Sequence, residues 1–170
     1  IGALVPEKGA DAAIRALAGC EECQLLVVGG GPEYEALRAL AGEVAPGRVV
    51  FAGPVDHPAN AFAAADMVVL PSRTEVMPGV LIEAGLSGLP AVATNIGGIP
   101  EIVRPGVTGE IVAPDEEAQL VAAIRRALDR ADRYGRAARQ HCLEHFEIDA
   151  VAAQWDRLLT SMLERATADG

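Results

Sequence analysis

Positive charge is scarce in this chain. Lys8 is its only lysine, 14 basic residues face 24 acidic ones, and the formal net charge is −10. An acidic surface repels phosphate backbones and anionic lipid headgroups, so nucleic acid is a poor partner. Any phosphate this chain binds needs a local positive device. Cysteine is also sparse, with Cys20, Cys23 and Cys142 the only three. An odd, small number argues against a disulfide scaffold and fits a reducing cytoplasm. No apolar run is long enough to span a bilayer, and no basic region followed by an apolar stretch suggests a secretion signal. Internal repeats and low-complexity segments are lacking too.

What remains is a core-former. Apolar residues make up 51% of the 170 positions, enough for one domain with a real interior. Short apolar runs alternate with segments of helical period. Strands are expected at Ile1–Val5, Gln24–Gly29, Arg48–Ala52, Met67–Leu70, Ala91–Thr94 and Glu110–Ala113. Helices are expected at Gly9–Ala18, Glu33–Val44, Pro58–Ala65, Gly79–Ser87 and Glu116–Ala131, with a helical turn at Pro100–Val103. A helical tail follows over about 132–166, broken near Phe146. The strands are apolar and β-branched without polar alternation, as in strands covered on both faces. The expected fold is α/β: a Rossmann-like, doubly wound parallel sheet of about six strands with helices on both faces. A buried strand at Ile1–Val5 also leads us to expect further residues upstream, the chain being one excised domain.

In such sheets ligands lie beyond the carboxyl ends of the strands, so the strand-to-helix loops are the place to look. In Pro6-Glu7-Lys8-Gly9, Lys8 stands where a helix begins; its ammonium and the helix start both favour an anion. A solvated lysine beside a turn glycine explains that pair equally. Gly29-Gly30-Gly31-Pro32 allows close approach of a ligand or of a neighbouring loop, but it is not G-x-G-x-x-G, because Tyr34 occupies the last position.

The run from Pro71 to Ala84 carries most information. Pro78 and Gly79 open a helix, so the amides of Gly79, Val80 and Leu81 are expected to point free into the crevice. Glu75 precedes the helix and Glu83 lies about a turn inside it. Carboxylates repel phosphate but accept both protons of a vicinal diol. Two of them flanking an amide-lined anion site suit a ligand with a diol at each end, which is the form of a nucleotide sugar. An exposed Glu75 and an arginine-paired Glu83 would account for the same spacing. Gly97-Gly98, ahead of Pro100, again allows close approach or a positive φ.

Together these loops resemble the C-terminal domain of GT-B glycosyltransferases of family 4, through nearly the whole chain. The residues that carry the likeness are Leu4-Val5-Pro6-Glu7-Lys8-Gly9, Val27-Val28-Gly29-Gly30-Gly31-Pro32, Val50-Phe51-Ala52-Gly53 and Ala65-Asp66-Met67-Val68-Val69-Leu70-Pro71-Ser72. It continues in the E-x7-E pair Glu75 and Glu83, in Gly88-Leu89-Pro90, in Gly97-Gly98-Ile99-Pro100-Glu101-Ile102-Val103 and in Thr108-Gly109. The resemblance implies a retaining transferase that uses a nucleotide-diphosphate sugar donor, with no metal and no separate cofactor. It implies that Lys8 contacts the diphosphate, Glu75 the hexose hydroxyls and Glu83 the ribose diol, with Lys8 and Glu75 the residues at the chemistry. The backbone of Val55 and Asp56 would lie near the base, and Gly30, Met77, Gly79 and Val80 would complete the donor site. The acceptor would be held by an N-terminal domain outside this chain. That domain's partner helix would be the apolar-striped tail bearing Val151, Trp155, Leu158, Leu159 and Met162, which could instead pack on its own sheet, swap to a neighbour or stay exposed. Peripheral membrane association of the full-length protein is compatible with this picture.

Two positions depart from the pattern. Ala3 stands where many relatives carry an arginine as a second phosphate contact. Met77-Pro78 replaces an aromatic-glycine pair, and Pro78 has no N–H to offer. Rival readings are weaker. Cys20-Glu21-Glu22-Cys23 precedes a strand, the wrong side for a redox pair opening a helix, and its own glutamates disfavour a thiolate. His141-Cys142-Leu143-Glu144-His145 fits the inverted zinc-protease string H-x-x-E-H, without a third ligand or a protease scaffold; a polar stripe on a helix explains it. A different GT-B enzyme, such as a sugar-nucleotide epimerase, and a non-catalytic nucleotide-sugar-binding domain are the alternatives to the transferase.

Overall fold

The computed structural model describes residues 1–168. Among them, five parallel strands alternate with helices, one fewer strand than the apolar runs suggest. The strands are β1 (Leu25–Val28), β2 (Val49–Gly53), β3 (Val68–Leu70), β4 (Ala91–Thr94) and β5 (Gly109–Val112). The helices are α1 (Ala10–Ala16), α2 (Tyr34–Val44), α3 (Ala59–Ala63), α4 (Gly79–Leu86), α5 (Ile99–Ile102), α6 (Glu117–Leu128), α7 (Ala131–His145) and α8 (Ile148–Ala168). The strands form two parallel sheets, β1-β2 and β3-β4-β5.

The missing strand is Ile1–Val5. This segment runs beside β1, and Gly2 N–H donates to the Val28 carbonyl (2.9 Å) and Leu4 N–H to that of Gly30 (3.0 Å). The return half of a parallel ladder is absent, because β1 ends at Val28. Gly29 N–H turns to the Gly53 carbonyl, and the Leu4 carbonyl accepts from Glu33 N–H at the entry to α2. A small cavity of about 70 Å³ lies at this seam, lined by Ile1, Leu4, Val27, Val69 and Leu70.

Burial explains why β4 is apolar throughout. Ala91 and Ala93 pack with α4 residues Leu81 and Ala84 on one face. Val92 packs with Leu120, Ala123 and Ile124 of α6 on the other. Helices therefore cover both faces of the three-stranded sheet, as the lack of alternation implies. The two-stranded sheet differs. Val27 is buried with Ile14, Leu37 and Ala41 from α1 and α2, but Leu26 and Val50 on the opposite face are exposed.

The helix expected over Glu116–Ala131 ends at Leu128, and α7 starts afresh at Ala131. The break lets buried Tyr134 reach back to β5, where its hydroxyl donates to Glu110 Oε1 (2.8 Å) and Arg126 holds Oε2. The tail breaks near Phe146 as expected, between α7 and α8. Helix α8 meets the domain mainly through α7. Trp155, Leu158, Leu159 and Met162 remain exposed along it. No helix among the described residues is long and apolar enough to cross a membrane.

Candidate functional site

The loops that leave the carboxyl ends of β1, β2, β3 and β4 all open on one edge, because the strands are parallel. Lys8 arrives there on a 3₁₀ turn, Pro6–Lys8, closed by Gly9 at φ +65°. A Cβ at Gly9 would be driven into the Pro71 carbonyl, 2.9 Å from its carbon. Glycine at this position therefore lets the first loop lie directly on the end of β3.

That approach delivers Lys8 to Glu75. Lys8 Nζ donates to Glu75 Oε1 at 2.7 Å, and Ser72 Oγ donates to the same oxygen at 2.9 Å. The Glu75 side chain is 8% exposed and that of Lys8 36%. Ser72 is fully buried, and its carbonyl accepts the Thr94 hydroxyl at 2.6 Å. Thus Oε1 is held by two donors, whereas Oε2 has no partner among the described residues and is not sealed from solvent. The ammonium keeps two further N–H groups for another acceptor.

The fourth loop supports the third. Gly98 N–H donates to the Val76 carbonyl at 2.6 Å. Gly97 has φ +49°, and a Cβ there would strike the Glu75 carbonyl oxygen. The paired glycines serve the approach of one loop to another rather than the approach of a ligand.

Helix α4 begins at Gly79 after Pro78, whose extended backbone caps it. Of the three amides expected to be free, Leu81 N–H already donates to the Pro78 carbonyl (3.1 Å). The correction follows from helix geometry, because the residue before the first turn supplies a carbonyl to it. The amides of Gly79 and Val80 remain at the helix start. Met77 and Gly79 are exposed and Val80 is half-buried. Glu83 is exposed on α4, and among the described residues neither an arginine nor Lys8 donates to its side chain. On a neighbouring stretch of the same edge, Gly30 lies against Pro54, 3.4 Å from its Cγ for an added Cβ. Exposed Val55 and Asp56 follow. Lys8 and Glu75 are thus directly joined, and Gly30, Val55 and Asp56 form a second group. The site is an open crevice: a cavity of about 120 Å³ lies under Arg73 between α1 and α6 and is bounded by neither Glu75 nor Glu83.

Arg73 has no obvious signal in the sequence. Its Nη1 and Nη2 hold Asp11 end-on (3.0 and 3.1 Å), Nε donates to Asp115 Oδ1 (2.9 Å), and Nη1 also reaches the Pro6 carbonyl (2.7 Å). The guanidinium holds the Asp11 carboxyl below its ordinary range, and the two acids keep Arg73 charged beyond its own. The only hint in the sequence is an arginine directly after Pro71-Ser72.

The rival motifs resolve into packing. Arg48 Nη1 donates to the carbonyls of Leu17 and Cys20, folding the Cys20–Cys23 turn against β2. Burial, with Cys20 alongside, pushes the Cys23 thiol up to about 11. His141 Nε2 donates to the Glu101 carbonyl (2.8 Å) and His145 Nδ1 to that of His141 (2.9 Å). Both rings are engaged in tying α7 to α5 and to itself. Burial lowers the His141 pKa.

Residues 1–130 match the family model described as glycosyl transferases group 1. The chain is similar to the GDP-mannose-dependent alpha-(1-6)-phosphatidylinositol monomannoside mannosyltransferase of Mycobacterium tuberculosis, 36% identical over 169 residues, 89% of this chain and 44% of that protein. It superposes on sucrose-phosphate synthase from Thermosynechococcus elongatus with TM-score 0.85 at 31% identity, over 97% of this chain and 45% of the other. Anabaena HepE in complex with UDP gives 0.87 at 27% identity, over 95% and 47%. The chain spans less than half the length of each of these relatives. It belongs to the group 1 glycosyl transferases.

Proposed function

We propose, from that membership and from the joined Lys8 and Glu75, that this chain is the donor-binding half of a retaining glycosyltransferase. The donor is a nucleotide-diphosphate sugar. Its diphosphate sits between the two remaining N–H groups of Lys8 and the first-turn amides of Gly79 and Val80, where a helix start favours negative charge. Glu75 offers Oε2 to a hexose hydroxyl, Glu83 accepts the ribose diol, and Gly30, Val55 and Asp56 border the base. Met77 closes the loop over the sugar. The reading needs neither a metal nor a cofactor, since the ammonium and the amides face the leaving group.

In the reaction, the acceptor oxygen bonds to the anomeric carbon as the bond from that carbon to the diphosphate oxygen breaks. The acceptor proton passes to the leaving phosphate, on the same face of the sugar, so the anomeric configuration is retained. Negative charge grows on the diphosphate, and donors already fixed in place stabilise it without reorganisation. The acceptor is bound by a second domain beyond this chain, and the enzyme works in the cytoplasm. The mannosyltransferase and the UDP complex of HepE support a nucleotide-linked donor.

One observation carries this reading: an ion pair of 2.7 Å between the sole lysine and a shielded glutamate at the end of β3. Calorimetry of the chain with UDP, GDP and ADP and their nucleosides tests it. Lys8→Ala should weaken diphosphate binding and leave nucleoside binding intact. Equal losses for both, or no binding of any diphosphate to the unaltered chain, would refute it.

A further inference from the structure

We infer that Arg73 is the positioning residue of the donor site, holding Lys8 onto Glu75 through a clamp across three loops. The inference rests on the donor-site reading above. Arg73 grips both residues that precede Lys8. Its backbone N–H donates to the Glu7 carbonyl (2.7 Å), and its Nη1 donates to the Pro6 carbonyl (2.7 Å). Its planar fork also takes both oxygens of Asp11, in the first turn of α1, which begins two residues after Lys8. Lys8 is therefore bracketed on both sides by groups tied to one guanidinium. The remaining donor, Nε, reaches Asp115 on the loop between β5 and α6. Asp115 has φ +58°, the only positive φ among the described non-glycine residues. A side chain held in that sparsely populated region marks a place where surrounding contacts overrule local preference.

Arg73 itself sits one residue after Ser72, which holds Glu75 Oε1. The same short loop thus fixes the carboxylate with one residue and the ammonium's backbone with the next. An ordinary surface ion pair would add little to stability, and the side chain of Arg73 is 33% exposed. What the arrangement adds is geometry: four acceptors, from the Pro6–Lys8 turn, the first turn of α1 and the loop before α6, converge on a rigid fork, which a lysine cannot replace.

A double-mutant cycle separates positioning from plain stabilisation. Affinities for UDP, GDP and ADP, and for their nucleosides, are measured on the unaltered chain, Lys8→Met, Arg73→Met and the double variant. If Arg73 acts through Lys8, Arg73→Met weakens the best diphosphate about tenfold, spares its nucleoside, and loses this effect once Lys8 is gone. Arg73→Lys, which keeps the charge without the fork, shows the same selective loss. The inference is overturned by an equal effect in both backgrounds, by parallel loss of nucleoside binding, or by full retention in Arg73→Lys. If far-UV circular dichroism shows Arg73→Met unfolded, Asp115→Gly, which suits the positive φ, removes one arm alone and must give a smaller loss with the same selectivity; unchanged diphosphate binding then overturns the inference. An unaltered chain that binds no diphosphate overturns the donor-site reading itself, a result distinct from all of these.

Discussion

Gly97→Ala is the sharpest test of how the Glu75 loop is built. Gly97 combines φ +49° with a neighbour that leaves no room. An ideal Cβ overlaps the Glu75 carbonyl oxygen and lies 2.9 Å from its carbon and 3.0 Å from the Val76 oxygen. The left-handed backbone alone costs an L-residue about 1–2 kcal/mol. Relieving the overlap means pushing the loops apart, which strains the 2.6 Å bond from Gly98 N–H to the Val76 carbonyl, worth about 1 kcal/mol net. The sum is about 2–3 kcal/mol, equivalent to a drop of roughly 6–9 °C in melting temperature for a chain of this size. Because the displaced atoms belong to Glu75, the damage must also reach the site. Thermal melting followed by circular dichroism reads the first effect, and calorimetric titration with the best nucleotide diphosphate and its sugar reads the second. We expect a lower melting temperature together with weakened sugar-nucleotide binding. A variant that melts like the parent and binds donor unchanged would refute the claim that this glycine exists to let two loops touch.

Gly42 lies inside α2, where an added Cβ meets nothing within 4 Å, so Gly42→Ala should stabilise the chain by about 0.5–1 kcal/mol in a urea titration. His141 is buried and its pKa lies below the ordinary 6.5. The unfolded chain therefore binds its proton first, and the stability this neutral imidazole confers is complete above about 6.5 and is lost as pH falls toward the lowered value; His141→Leu should flatten that part of a stability–pH curve. The thiols of Cys23 and Cys142 are both pushed up to about 11, so at pH 8 iodoacetamide should alkylate them about a hundredfold more slowly in the folded chain than in urea.

Most of the fold is legible in the sequence because its signals are local. β-branched runs between helical stretches mark strands covered on both faces, and β4 and α2 fall where the pattern puts them. The first strand fails for a reason no pattern of apolar residues carries. Ile1–Val5 is apolar enough, but β1 stops at Val28 and leaves it half a ladder. The uncovered face of β1 and β2 was equally hidden, since Leu26 and Val50 read as core and yet meet water. Loop chemistry was legible in kind rather than in pairing. Lys8 and Glu75 stand out as charges in turn-rich loops, but 67 residues separate them, and only the fold brings them to 2.7 Å. Arg73 was invisible because its partners, Asp11 in α1 and Asp115 before α6, lie 62 and 42 residues from it along the chain.

The pairing also changes how the two halves of a donor are read. Lys8 is not a free cation waiting for phosphate, because it already spends one N–H on Glu75. A hexose hydroxyl that donates to Oε2 leaves that bond intact. On the proposed reading, a diphosphate that takes the two remaining N–H groups of Lys8 leaves both donors of Oε1, Lys8 and Ser72, in place. Phosphate and sugar would then be recognised through a single shared pair, and binding of one would be coupled to binding of the other. In a molecule with one lysine and a net charge of −10, that sharing would let a single ammonium serve both the leaving group and the glutamate proposed to grip the sugar.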